Sequence, residues 1–289
     1  MTDQQPELDL ETGHLLAGHN VAGQETRLGT LDTALDRILG GRPEAAGSIA
    51  PDLFAVVDAL DAQPALRRAL TDPGTPARTR KGVAERLFGG RIGDSAVALV
   101  ADAAALRWSS MSDLAAALER EAVRAELIAA QADGNRLDAV EDELFRFERL
   151  VAGDRPLRDA IADRSVPVAG RADLVGSLLQ GRADPATAVL ARRAVAARER
   201  TFARTLEHYL VLAAELRRRA VATVRVARPL DSEQFDRLQA ALSKSAGRAI
   251  AMHVIVDPSI IGGVRVQLGD EVIEGTMAAR LDEARRTIR

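Results

Sequence analysis

Apolar residues recur at helical spacing along most of the chain, and they alternate with polar residues only after residue 220. Spacing of three and four predicts amphipathic helices, whereas alternation predicts strands with one buried face. Residues 1–28 are polar, contain several glycines and show little periodicity. We predict a flexible arm there, followed by a helix at Leu28–Leu39. Prolines at loop and first-turn positions divide the helical part into separate helices up to about residue 219.

Residues 220–289 combine strand and helix patterns. Residues 220–227 alternate as a strand, and Asp231 and Gln234 have the spacing of a capping box that opens a helix over 231–246. A second strand is predicted at Ile250–Val256, and a glycine-bounded hairpin follows it, with Gly275 ending its second arm. The apolar rows are Ala222, Val224 and Val226; Phe235, Leu238 and Leu242; Ile250, Met252, Val254 and Val256; Val264, Val266 and Leu268; and, on a closing helix, Met277, Leu281, Ala284 and Ile288.

These patterns predict a mainly α protein in which one or more N-terminal helical bundles precede a small α+β C-terminal domain. We place a flexible arm at 1–28, an extra duplicated helical segment at 29–135, a second helical bundle at 136–219 and the α+β domain at 220–289.

The helical part repeats itself. The segment that begins at Asp52 aligns with the segment that begins at Glu143, 91 positions later, and the offset continues through Pro76 and Pro167. Two copies are fewer than the three or more that stacked repeats need, so the sequence predicts a duplicated bundle. The other aligned pairs are Leu53 and Leu144, Phe54 and Phe145, Leu66 and Leu157, Arg67 and Arg158, Asp72 and Asp163, Arg80 and Arg171, Leu87 and Leu178, Gly90 and Gly181, Arg91 and Arg182, and Leu99 and Leu190.

Composition narrows the class of protein. Apolar residues make up 47% of the chain but aromatic residues only 3%, which favours helices packed through alanine and leucine. The formal charge of −3 argues against a dedicated nucleic-acid binder. The absence of cysteine excludes disulfides and thiolate metal sites. The acidic N-terminal segment has no apolar core of a signal peptide, and no stretch reaches the ~20 apolar residues of a membrane span.

The chain carries little that is suited to catalysis. The four histidines, His14, His19, His208 and His253, show no metal-ligand spacing, so we predict no metal site. No G-x-S-x-G element positions a nucleophile, and we predict no catalytic residues and no cofactor. The sequence GGRIGD at 89–94 lacks the lysine and the spacing of a phosphate-binding loop, and we predict a helix end and a turn there.

Two surface features admit more than one interpretation. Residues 190–219 carry eight arginines against Glu199, Glu207 and Glu215, which favours a protein interface. An arginine-rich nucleic-acid-binding protein and a membrane-surface adaptor are the alternatives. Trp108, the only tryptophan, is either the anchor of a partner contact or a partly buried packing residue.

The segment 257–281 carries a resemblance to a known family. It is similar to the C-terminal signature of the delta subunit of bacterial F-type ATP synthase, a relative of the oligomycin-sensitivity-conferring protein. The resemblance extends less sharply over 137–219, where Pro167 and Arg171 keep the family's P-x-x-x-R spacing. Ile260 and Glu274 replace residues that are commonly leucine and aspartate in the family. The matching residues are Asp257, Pro258, Ile261, Gly262, Gly263, Val264, Gly269, Asp270, Val272, Ile273, Gly275, Arg280 and Leu281.

The resemblance implies a non-catalytic subunit of the peripheral stalk, or stator, which resists rotor torque during ATP synthesis. Its helical part would bind the N-terminal segments of the alpha subunits, and its C-terminal domain would bind the end of the b subunit. One copy per complex would lie on the cytoplasmic face of the plasma membrane and reach the membrane only through its partners, without nucleic acid. The duplicated segment resembles the long delta subunits of actinobacteria, and it leaves open which copy contacts the catalytic head.

Overall fold

The computed structural model of the protein describes residues 8–199, 201–218, 220–246, 250–258, 260, 263–268 and 271–276. The elements in chain order are α1 (Leu8–Leu39), a 3-10 helix (Pro43–Ala45), α2 (Ala46–Ala62), α3 (Pro64–Thr71), α4 (Ala77–Phe88), α5 (Asp94–Ala105), α6 (Met111–Ala132), α7 (Leu137–Gly153), α8 (Arg155–Ala162), α9 (Val168–Leu179), α10 (Pro185–Ala194), α11 (Phe202–Arg218), β1 (Ala220–Val226), α12 (Ser232–Ala246), β2 (Ile250–Val256), β3 (Gly263–Leu268) and β4 (Glu271–Thr276). The predicted fold class, mainly helical with a small α+β end, is confirmed.

The first helix is longer than the sequence pattern predicts. We expect a helix at Leu28–Leu39, but α1 begins at Leu8 and therefore includes much of the segment assigned to a flexible arm. Apolar periodicity is informative only toward the end of α1, where Leu31, Leu35 and Leu39 are buried. Residues 8–28 contain no proline and many good helix formers, so a helix continues there without a regular apolar face.

The internal repeat is confirmed by the helices themselves. Helices α2, α3 and α4 begin and end 91 positions before α7, α8 and α9, and α5 and α6 begin 91 positions before α10 and α11. The two prolines that precede α4 and α9 share one extended conformation, with φ −55° and ψ 142° at Pro76 and φ −54° and ψ 147° at Pro167. The two copies are therefore built on the same sequence of helices and turns.

The chain forms two compact units, and their division falls inside α6. One unit comprises Met1–Ile38 and Asp52–Glu121, and the other comprises Leu39–Pro51 and Ala122–Arg289. Helix α6 is thus the last helix of the first copy and supplies buried residues to the second unit, including Val123 and Leu127. The domain boundaries that we derive from the sequence stay a prediction.

The C-terminal part is a four-stranded sheet in the order β2-β1-β3-β4. Strand β1 pairs in parallel with β2 and antiparallel with β3, and β3 pairs antiparallel with β4. Val224 of β1 lies opposite Val254 of β2 and Val266 of β3. The alternating pattern at 220–227 and the predicted hairpin are both confirmed.

Helix α12 covers one face of this sheet. Phe235 and Leu242 pack with Ala222, Val224 and Met252 in a single buried cluster. The capping box that opens α12 is present, because the backbone NH of Gln234 donates to Asp231 Oδ1 at 2.8 Å. The backbone NH of Asp231 donates in turn to Gln234 Oε1 at 3.2 Å.

Two details of the C-terminal domain differ from the sequence prediction. Val256, assigned to the buried row of β2, is 46% exposed because it is the last residue of a strand at the edge of the sheet. Gly275 does not end the second arm of the hairpin, since β4 continues through it and Gly275 pairs with Val264. Glycine keeps both backbone hydrogen-bonding groups, so it weakens a strand without ending it. The predicted closing helix lies outside the described residues.

Candidate functional site: polar anchors and partner-binding surfaces

Each helical copy contains one arginine that joins a loop to the end of a helix. Arg80, 3% exposed, donates from Nε to the carbonyl of Ala104 at 2.8 Å and from Nη2 to that of Leu106 at 2.9 Å, where α5 ends. It also donates to Thr75 in the loop before α4. A guanidinium suits this position because the carbonyls at a helix C-terminus lack donors within the helix and carry partial negative charge.

Arg171 takes the same place in the second copy. It donates to the carbonyls of Val166 at 3.1 Å and Val195 at 3.5 Å, which are the counterparts of Thr75 and Ala104, and to that of Ile161 at 2.8 Å. The P-x-x-x-R spacing therefore marks a structural anchor: the proline starts the helix and the arginine binds the preceding loop to the next helix end.

A carboxylate anchor is also repeated. Asp52 Oδ2 accepts from the backbone NH of Gly93 at 2.8 Å at the start of α5. Glu143 Oε2 accepts from the backbone NH of Asp184 at 2.8 Å at the start of α10, and from Thr187 at 2.7 Å. Both carboxylates compensate backbone NH groups that a helix N-terminus leaves without partners.

The turns before α4 and α9 each contain an aspartate whose pKa is lowered. Thr75 donates to Asp72 and Ser165 donates to Asp163, and each hydrogen bond lowers the pKa of the aspartate that accepts it. The predicted turn at GGRIGD is confirmed, because α4 ends at Phe88 and Gly90 has φ +71°. Its counterpart Gly181 has φ +68°, so both glycines meet a conformational requirement of the turn.

One half-buried carboxylate distinguishes the second unit. Glu126 of α6 stands at the position that Leu35 occupies one repeat earlier, and burial, together with nearby Asp184, raises the pKa of Glu126. Arg136 opposes this rise; it is bound to Asp184 and to Asp133. The sequence gives no sign of this cluster, because its members lie on α6, the following turn and the start of α10.

The described residues form no group of three or more histidine and carboxylate side chains that could hold a metal ion. His208 lies on α11 and His253 on β2, so these two histidines stand on different elements. The side chains of His14 and His19 lie outside the described residues.

Gly263 has φ +88° at the start of β3, which supports a structural role for this glycine, while Gly262 is outside the described residues.

The arginine-rich region 190–219 is partly neutralised by carboxylates. Arg192 is 2.8 Å from Asp173, and Arg217 is 3.2 Å from Glu141.

Of the two interpretations of Trp108, packing agrees with the structure, since the ring is half-buried. Its Nε1 donates to the carbonyl of Ala103 at 2.9 Å, and the Arg27 guanidinium lies 5.8 Å from the ring centroid.

The two copies differ in exposed apolar surface. Phe54 is 6% exposed, whereas its counterpart Phe145 on α7 is 53% exposed. One helical turn before this phenylalanine, Ala50 of the first copy is replaced by Glu141 in the second. Large exposed apolar side chains of the second copy are Phe145, Leu150, Val166, Val168, Val189 and Val211.

The C-terminal domain contains an open cleft of about 760 Å³ beside the start of α12. Leu230, Leu238 and Val264 supply apolar lining, and Arg228 and Arg237 are exposed at the cleft. The combination of apolar floor and arginine is typical of protein interfaces.

Among the described residues, no helix combines the length and apolar character that crossing a bilayer requires.

Comparison with known proteins identifies the family. The sequence profile described as "ATP synthase delta (OSCP) subunit" matches residues 123–288, and the match begins within α6. "ATP synthase subunit delta" of Kineococcus radiotolerans is 45% identical over 262 residues, which are 90% of this chain and 95% of that protein. The proteins of the same name from a Parafrankia species and from Streptomyces coelicolor are 47% and 42% identical, over 83% and 94% of this chain and 89% and 99% of their own lengths.

A chain in the solved mitochondrial ATP synthase hexamer of Toxoplasma gondii also aligns, covering 57% of this chain and 94% of that chain. Its 19% identity and TM-score of 0.24 are too low to support an argument.

The fold and its surfaces are those of a helical interaction protein. The sequence profile and the relatives show which family of such proteins it belongs to. The chain belongs to the ATP synthase delta (OSCP) subunit family, and its relatives are actinobacterial proteins of similar length.

Proposed function

We propose that this chain ties the catalytic head of ATP synthase to the membrane-anchored b subunit. Family membership makes it a peripheral-stalk component. The observation that carries the proposal is the profile match over 123–288, which includes the whole second helical copy and the C-terminal domain. A protein that ties two subunits together needs two separate partner surfaces. In this proposal the second helical copy supplies one surface and the C-terminal domain supplies the other.

The second helical copy is the better candidate for the head-binding surface. Its exposed apolar side chains on α7 to α11 suit the apolar face of a helical partner, and we assign them to the N-terminal segments of the alpha subunits. Between residues 55 and 119, Met111 is the one large apolar side chain of comparable exposure, at 47%.

The C-terminal domain is the candidate for b-subunit binding. Its cleft at the start of α12 offers apolar lining and two exposed arginines to the end of a helical partner. In this proposal one copy of the chain acts per complex on the cytoplasmic face of the plasma membrane. It holds the head against rotor torque without catalytic residues of its own.

Truncation tests the assignment of the C-terminal domain. Removal of residues 230–289 would leave β1 with its apolar row uncovered, so a cut after Arg218 is the cleaner variant. We expect the cut chain to lose b-subunit capture in a pull-down while it keeps the catalytic-head subunits. A chain without residues 1–28 serves as the control and should retain both partners.

Two results would contradict the proposal. Capture of the b subunit by the truncated chain would show that the C-terminal domain does not hold that partner. Failure of the full-length chain to purify with the head subunits would remove the stator function. Recovery with DNA or ribosomes would then favour the arginine-rich nucleic-acid-binding alternative.

A further inference from the structure

The first helical copy carries a concentration of positive charge that its fold does not require. Residues 64–93 contain seven basic and two acidic side chains, in a chain whose formal charge is −3. The equivalent residues of the second copy, 155–184, contain five basic and four acidic side chains. The same helices form in both segments, so the excess charge is a property of this surface alone.

Much of the excess lies on the exposed side of α4 and in the turn after it. Arg78 and Arg86 stand two helical turns apart, about 12 Å along the axis, and Arg91 follows the end of α4; all three are exposed. We call these three residues the α4 basic row. No carboxylate of the described residues forms an ion pair with any of them, whereas Lys81 on the same helix is 2.7 Å from Asp102.

Gly82 lies between Arg78 and Arg86 on the same face of α4. A glycine inside a helix costs about 1 kcal/mol relative to alanine. Nothing within 4 Å would obstruct a Cβ atom at this position, so the surrounding chain does not require glycine. Gly82 is half-buried, and a glycine on the outer side of a helix allows the backbone of a partner to approach closely.

The equivalent face of α9 in the second copy lacks both the arginines and the glycine. Ala169 and Ser177 replace Arg78 and Arg86, and Asp173 replaces Gly82. Asp173 forms an ion pair with Arg192 at 2.8 Å, so this position of the second copy is occupied by a contact within the chain.

We propose that the α4 basic row, with Gly82 at its centre, binds an acidic helical segment of a protein partner. This inference rests on the proposed function, because it gives the extra copy a third contact within the stalk. Arginine suits this role since its planar guanidinium binds carboxylates through paired hydrogen bonds. Carboxylates of the partner two helical turns apart would match the spacing of Arg78 and Arg86.

A protein partner fits this surface better than a membrane or a nucleic acid. The exposed residues Arg78, Thr79, Glu85 and Arg86 include no bulky apolar side chain for insertion into lipid. No aromatic residue on α4 is exposed for base stacking, since Phe88 is buried.

Site-specific photocrosslinking in the purified ATP synthase complex tests the inference. A benzoylphenylalanine at the exposed Thr79, beside the row, should crosslink to a segment of another subunit, and mass spectrometry should show that its residues are predominantly acidic. The same group at Ser177, the counterpart of Arg86 in the second copy, is the control and should not yield that product. A product without acidic residues, a crosslink only within this chain, or no crosslink would overturn the inference.

Substitutions taken from the second copy provide a second measurement. The variant Arg78→Ala with Arg86→Ser places residues that the repeat already tolerates on this helix, so it should fold normally. We expect at least a tenfold lower crosslink yield at 150 mM salt, whereas Arg164→Ala with Arg182→Ala in the second copy should leave the yield within twofold. Gly82→Ala should raise the melting temperature yet lower the yield, a combination that a purely structural glycine would not show.

Vesicles of phosphatidylglycerol distinguish the lipid alternative. Co-sedimentation of the full-length chain that is lost in the Arg78→Ala, Arg86→Ser variant would assign the row to a membrane surface and overturn the protein partner. If the chain does not purify with the complex at all, the proposed stator function fails. If it purifies but Thr79 gives no crosslink, only this inference fails.

Discussion

At the residue scale, the same amino acid at the same repeat position can differ in burial and in the number of hydrogen bonds that it makes. Arg80 is buried and donates to five backbone carbonyls at two sites of the chain. Arg171 is half-buried and donates to three. The alignment of the two copies predicts a shared role, but it does not predict this difference in burial.

We expect Arg80→Leu to destabilise the first copy by at least about 2 kcal/mol, because the substitution leaves several buried carbonyls without donors. Arg171→Leu should cost about 1 kcal/mol, since it removes fewer and less buried hydrogen bonds. Thermal denaturation followed by circular dichroism would measure both. Arg78→Leu, on the exposed face of α4, is the control and should change stability by less than about 0.5 kcal/mol. Equal effects of all three substitutions would show that the hydrogen bonds of Arg80 are not anchors.

Replacement of Glu126 by glutamine should increase the stability of the protein by an amount that depends on pH. Burial raises the pKa of Glu126 in the folded chain, so its ionised form is disfavoured there, and the stability that this residue contributes is lost as pH rises through its folded pKa. Glu126→Gln removes the charge and should raise the melting temperature at neutral pH. The gain should shrink as pH falls, because the native carboxyl becomes protonated.

The exposed Glu207 supplies the control for this pH dependence. Glu207→Gln removes the same charge from the solvent-facing side of α11 and should change stability by less than about 0.5 kcal/mol at neutral pH. A stabilisation by Glu126→Gln that is independent of pH would show that the desolvated charge is not its cause.

At the element scale, helix ends are set by residues that the sequence shows. Prolines precede α4 and α9, glycines with positive φ follow them, and a capping box opens α12. These local signals place the start of α12 within one residue of the prediction. The start of α1 escapes prediction because neither periodicity nor a cap marks Leu8 in the sequence.

Helix α6 should be indispensable to the second copy although the repeat places it at the end of the first. Its residues Val123, Leu127 and Ile128 are buried in the second unit. A chain that starts at Met111 should therefore be more stable than a chain that starts at Asn135, which loses these side chains at a cost of several kcal/mol. Calorimetry of both fragments measures the difference, and equal stability would show that α6 belongs to the first copy alone.

At the scale of the whole molecule, duplication gives one chain two helical frames with different surfaces. The polar anchors are kept in both copies, while the exposed residues diverge toward arginine in the first and apolar side chains in the second. Because a frame tolerates surface substitution much better than core substitution, a second copy can acquire a new partner without losing its fold.

The sequence by itself determines the fold class, the repeat offset, the C-terminal strand and helix pattern and the family, because each depends on local periodicity, turn residues or a dense motif. Only the tertiary structure shows that Phe54 is buried where Phe145 is exposed, that Glu126 meets Asp184 and Arg136, and that α6 contributes to the core of the second unit. Those facts depend on which distant segments come together, and the exposure of a side chain follows from its neighbours in space. The C-terminal motif 257–281 illustrates both parts: its residues identify the family, while pairing across the sheet shows that its second arm continues through Gly275.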